Sequence, residues 1–144
     1  MDGAGSSRYG DPGAIRALAA GLREQAAEVR SEADRLVGLA RAVPWDGLAA
    51  DALRHRAAAG GSGLRRTAAL HDDAADALDR HAAEVEHRLE LVAAAEARFR
   101  ALVAAALDRL GGLGDPVERL LDQFSPPPPG HRDWLDVDLP RVPW

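Results

Sequence analysis

Apolar side chains at Ile15, Leu22, Val29, Leu36 and Val43 recur at intervals of seven, and Leu18, Ala26, Ala33 and Ala40 fill the stripe beside them. That spacing predicts a helix whose apolar seam packs lengthwise against a second helix. Asp11-Pro12 suits its start, with a carboxylate to cap and proline at the first helical position. Pro44 disfavours helical geometry at Val43 and ends the run. After Trp45-Asp46-Gly47 the pattern resumes, with Asp46 expected as the new cap. Small and apolar residues follow at Ala50, Leu53, Ala57, Gly60 and Leu64, then at Leu78, Ala82, Val85, Leu89, Val92, Phe99, Val103, Ala106 and Leu110. Gly60, Gly61 and Gly63 interrupt this stripe. Each interior glycine costs about 1 kcal/mol relative to alanine, so a kink is expected there. Asp76–Arg80, Glu84–Arg88 and Glu96–Arg100 are expected as exposed i,i+4 ion pairs.

The chain therefore reads as all-α: an antiparallel helical hairpin of long amphipathic helices over 11–113, preceded by a disordered N-terminus over 1–10. Gly111, Gly112 and Gly114 close the second helix, and Asp115-Pro116 opens a short third helix over 114–125 carrying Val117, Leu120, Leu121 and Phe124. Residues 126–144 read as a Pro-rich, disordered tail. Its alternation of apolar and acidic residues suits an extended segment lying on a surface, so Trp134, Leu135 and Trp144 are expected to dock on the hairpin or on its partner. Helix lengths point to that partner. About 30 residues of first helix span about 45 Å, while the second run is about twice as long. The stripe Leu78, Val85, Leu89, Val92, Phe99 and Val103 is left over as a protein interface unless the chain folds back near Gly60–Gly63.

Composition narrows the choice. The 144 residues are alanine-rich, with one isoleucine and 4% aromatic residues, which favours helix over sheet. The 18 basic side chains are all arginine and face 23 acidic ones, for a net charge of −5. An acidic, unpatterned surface is a poor platform for nucleic acid. No run is long enough for a transmembrane segment, and no basic start with an apolar run marks a secretory signal. The chain is expected to be cytoplasmic when synthesised.

Candidate chemistry is sparse. No cysteine is present, so thiol nucleophiles and Cys-based metal sites are excluded. Glu84-x-x-His87 has the spacing of four-helix carboxylate metal sites, but no second copy exists, and a solvated pair is expected. His71 lies on the apolar stripe and reads as a half-buried, hydrogen-bonded histidine. Glu96 interrupts the stripe and either snorkels to Arg100 or sets pairing register. Gly60-Gly61-Ser62-Gly63 lacks the Lys-Ser/Thr of a phosphate loop. No serine has His and Asp in a recognisable arrangement. No enzyme activity, metal or cofactor is expected.

Trp45-Asp46-Gly47 between two long helices gains meaning from its setting. The run Trp45-Asp46-Gly47-Leu48-Ala49-Ala50-Asp51-Ala52-Leu53-Arg54 resembles the helix-opening pattern of actinobacterial Trp-x-Gly (WXG) substrates of type VII, or ESX, secretion systems. Ala74-Ala75-Asp76-Ala77-Leu78 and Ala82-Ala83 look similar to the N-terminal targeting domains of larger type VII toxins. The resemblance spans residues from about 11 to 105. It implies a non-enzymatic helical hairpin, acting as a homodimer or as a heterodimer with a sister WXG-like protein or a type VII toxin. It also implies export by a route that needs no cleaved signal peptide. The family's Tyr-x-x-x-Asp/Glu signal is absent after the second helix, and the one tyrosine is Tyr9. The partner would then supply that signal. Two alternatives use the same stripe: a cytosolic targeting chaperone for a type VII toxin, and an unrelated coiled-coil structural protein with a fortuitous Trp-x-Gly.

Overall fold

The computed structural model describes residues 10–109 and 125–138. Two long helices, α1 (Pro12–Ala42) and α2 (Leu48–Arg109), are followed by a 3-10 turn, Arg132–Leu135, and no strand occurs among the described residues. The fold is an all-α helical hairpin. The described part divides into two compact units, one of Pro12–Ala83 and one of residues 10–11, 84–109 and 125–138. The expected third helix over 114–125 falls almost wholly outside the described residues, as do Tyr9, Trp144 and all but the last residue of the N-terminal segment 1–10.

α1 begins at Pro12 and stops at Ala42, two residues before Pro44. Its buried positions are Ala19, Ala26, Ala33 and Ala40, one per heptad. α2 answers with Ala50, Ala57, Gly61, Ala68, Ala75 and Ala82. The two helices of the Pro12–Ala83 unit thus meet along a line of alanine and glycine. The larger stripe residues Ile15, Leu22, Val29 and Val43 are half-buried beside that line, and Leu36 is exposed. Leu18, expected in the seam, is exposed, because Ala19 holds the heptad position. Small side chains at the centre let the backbones approach closely, and the bulky residues then flank the contact instead of filling it.

The expected kink does not interrupt α2, which runs helically through Gly60–Gly63. The reason is the packing. A Cβ on Gly61 would stand 2.8 Å from a Val37 methyl and 3.4 Å from the Ala33 carbonyl oxygen. Here α1 lies so close that only hydrogen fits, and tertiary contact offsets the poor helix propensity of glycine. The buried row of α2 also takes a four-residue step from Ala57 to Gly61 where all others in this unit are seven, or seven after Gly61. Such a step locally unwinds a heptad seam.

Exposed ion pairs fix the antiparallel register. Arg23 reaches Asp76 at 2.7 Å and Asp79 at 2.8 Å, Arg30 reaches Asp72, and Arg65 reaches Asp34. Hydrogen bonding to Asp79 and then Asp76 raises the Arg23 pKa above its ordinary value. A base raised in this way contributes stability below its unfolded pKa that is lost only as pH climbs through the folded one. On the arginine side the contact is therefore constant through the neutral range. Of the three expected i,i+4 pairs, Glu84–Arg88 forms at 2.7 Å. Asp76 turns instead to Arg23, and the Glu96 side chain turns to the backbone of Gly130, leaving Arg100 on the Glu96 carbonyl oxygen.

Candidate functional site

The turn between the helices is built from unsatisfied backbone. The last carbonyls of α1 have no intrahelical donor. Gly47 adopts φ +104°, a left-handed conformation in which side-chain-bearing residues are strained. No atom lies within 4 Å of where its Cβ would be, so glycine is required there by conformation and not by space. The Gly47 carbonyl accepts from Asp51 N–H at 3.0 Å and starts α2. Asp46 was expected to cap this helix. Its carboxylate is instead fully exposed, 3.8 Å from Arg54, and Gly47 takes the position before Leu48.

Arg54 holds the turn together. One guanidinium nitrogen donates to the carbonyls of Val43 at 3.3 Å and Trp45 at 3.0 Å, and the other donates to the Asp51 carboxylate at 3.3 Å. This planar fork ties the first half of the loop, Val43 to Trp45, to α2. With its carbonyl fixed, Trp45 remains 47% exposed, and Leu48, the first residue of α2, is 92% exposed. The arrangement presents an aromatic ring and a leucine on a braced turn. In the sequence Arg54 closes the Trp45–Arg54 run with no motif of its own; its signal is a multidentate donor within two turns of a helix break whose carbonyls need partners.

The six stripe residues on α2 have separate fates. Val85 is 4% and Val92 is 2% exposed, so both are already buried within the chain and the expectation of an uncovered stripe is corrected there. Leu78, Leu89, Phe99 and Val103 are half-buried. In the second unit Trp134 is 5% exposed, with its ring 5.4 Å from that of Phe99 at 56°, and Leu135 is exposed. Residues 131–136 were expected to be disordered. They instead form a 3-10 turn capped by His131, because Trp134 has an apolar ring to cover and Gly130 a carboxylate to bind.

His71 is half-buried, but its Nδ1 is enclosed without a hydrogen-bond partner, contrary to the expected satisfied histidine. Glu84 and His87 are both exposed. Among the described residues no group of three His, Asp or Glu is placed to hold a metal ion, and no helix is long and apolar enough to cross a membrane. Within the hairpin unit the small residues Gly38, Ala58 and Ser62 leave an open groove of about 390 Å³, rimmed by Asp34, Arg41 and Arg65. Searches of protein-family models, of curated proteins and of solved structures find no match to this chain.

Proposed function

We propose that this chain is a non-enzymatic, WXG-like helical-hairpin protein of a type VII (ESX) secretion system. It acts as a secreted substrate, or as the partner of a secreted protein, through helix–helix dimerisation. The observation that carries this reading is the turn: Trp45-Asp46-Gly47 joins two antiparallel helices, Gly47 is held in a glycine-specific conformation, and Arg54 braces the loop while Trp45 faces outward. A ring that served only the core would be covered. Aromatic side chains presented on rigid supports are typical anchors of protein interfaces. The half-buried stripe residues Leu78, Leu89 and Val103 offer further contact for a sister helix.

The test is co-purification from the native host, comparing the wild-type chain with Trp45→Ala and with the surface control Arg88→Ala. Trp45→Ala should keep its helicity by circular dichroism and lose the co-purifying partner and its export. An unfolded Trp45→Ala variant would make the ring core and remove the basis of the proposal. A folded variant with undiminished capture and export would refute it directly.

A further inference from the structure

Glu96 and Trp134 stand 38 positions apart in sequence, yet both act on one short stretch of α2. The segment that follows Pro126–Pro129 is organised largely by itself. Gly130 turns at φ +72°, His131 N–H donates to the Pro128 carbonyl at 3.0 Å, and Trp134 N–H donates to the His131 carbonyl at 3.2 Å. The Trp134 indole N–H also closes on the Pro128 carbonyl, at 3.0 Å. Four prolines with restricted φ precede this knot. The segment therefore reaches the helix already shaped, with the Trp134 ring tied to its own backbone through the indole N–H and the Gly130 N–H left for a partner on α2.

Among the described residues, a ring contact and a hydrogen bond then attach it to α2. The Trp134 ring covers Phe99, and the Gly130 N–H donates to the Glu96 carboxylate. Glu96 sits one helical turn before Phe99, within the series Val85, Val92, Phe99 whose seven-residue spacing is that of a helix-pairing seam. A carboxylate in such a series is costly to a paired helix, and here it has an assigned partner: a backbone donor in the covering segment.

We propose that residues 126–136 form a releasable strap, latched by Glu96 and anchored by Trp134, that shuts the Phe99 face of α2 against association with another helix. The strap opens as a unit because its internal hydrogen bonds survive release, whereas among the described residues its hold on α2 is through the Trp134 ring and the Glu96 carboxylate. The gating consequence rests on the reading above that the α2 stripe is an association surface; the latch itself does not.

The experiment uses the full chain and the variants Glu96→Ala, Glu96→Gln and Trp134→Ala. Amide exchange at Gly130, read by NMR, reports the latch, and tryptic cleavage after Arg132, read by mass spectrometry, reports strap opening. Glu96→Ala and Trp134→Ala should raise both rates about tenfold or more, while Glu96→Gln, which retains an oxygen acceptor, should stay near wild type. The melting of the α1–α2 hairpin should not move. Sedimentation at fixed concentration should show greater self-association for the two released variants. Unchanged Gly130 exchange in Glu96→Ala overturns the latch, and collapse of the hairpin in Trp134→Ala overturns the strap as a separable unit. Faster exchange without any gain in association overturns the gating. Because Trp45-dependent partner capture is measured separately, failure of the strap is distinguishable from failure of the secretion reading.

Discussion

Alanine substituted at each glycine of the Gly60–Gly63 cluster should give three different outcomes, and their order tests the packing of the hairpin. Glycine to alanine in a helix interior gains about 1 kcal/mol from propensity when the new methyl meets nothing. At Gly63 the nearest atom is an Arg66 guanidinium nitrogen at 4.0 Å, so the whole gain should appear. For a unit of about this size that corresponds to a rise in Tm of roughly 4–8 °C. At Gly60 the methyl would come 3.3 Å from a terminal methyl of Leu36, an exposed side chain able to swing away, so part of the gain should survive. Gly61 is different. Its methyl would meet a Val37 methyl at 2.8 Å and the Ala33 carbonyl oxygen at 3.4 Å. Valine has essentially one rotamer in a helix, and the carbonyl is backbone, so neither yields cheaply. Overpacking of this kind costs about 1–3 kcal/mol, which leaves Gly61→Ala between neutral and about 2 kcal/mol destabilised. Thermal and urea unfolding followed by circular dichroism would rank the variants Gly63, Gly60, Gly61 from most to least stable. In a Val37→Ala background the penalty at Gly61 should shrink, with a coupling of about 0.5 kcal/mol or more. If Gly61→Ala gains as much as Gly63→Ala, the helices are not in the close contact described and the reasoning fails.

Other consequences are simpler to check. Arg54→Ala should cost about 1–2 kcal/mol and increase amide exchange in residues 43–47, with Arg54→Lys recovering little because an ammonium lacks the planar fork. Val92→Asp should destabilise the fold by about 3 kcal/mol or more in urea melts, since the site is 2% exposed and offers a buried carboxylate no described partner. A variant that is as stable as wild type would show that Val92 is accessible after all. Raising salt from low to about 1 M should lower hairpin stability only slightly, because the pairs of Arg23, Arg30 and Arg65 are exposed. Gly47→Ala should destabilise the turn by about 1 kcal/mol or more through backbone strain, even though the space around it is empty.

Much of the hairpin is legible in the chain. Pro12 and Pro44 bracket α1, the sevenfold repeat predicts helix pairing, and Gly47 marks the turn. Periodicity fixes the direction of the apolar face but not which of two neighbouring stripes lies at closest approach. That choice fell to the alanines, since close backbone contact excludes the leucines. Local propensity misreads Gly60–Gly63 because the benefit of a missing side chain lies on the other helix. Asp46 is a plausible cap by residue type, yet Gly47 occupies the position the geometry selects. The alternation of apolar and acidic residues marks Trp134 as a docking residue, but no local pattern names Phe99, 35 positions away, as its contact or predicts a 3-10 turn in place of an extended segment.

The alanine line between α1 and α2 also sets the thermal character of the hairpin. Heat capacity of unfolding follows the apolar area newly exposed to water, and a methyl group carries little of it. A seam of Ala19, Ala26, Ala33 and Ala40 against Ala50, Ala57, Ala68, Ala75 and Ala82 should therefore give a small ΔCp for the number of residues ordered. Its stability curve is then shallow, with little curvature towards the cold, and its denaturant slope is low for its length. Any partner that covers its flanking leucines would add apolar area to the unit that unfolds, and both the ΔCp and the denaturant slope would rise.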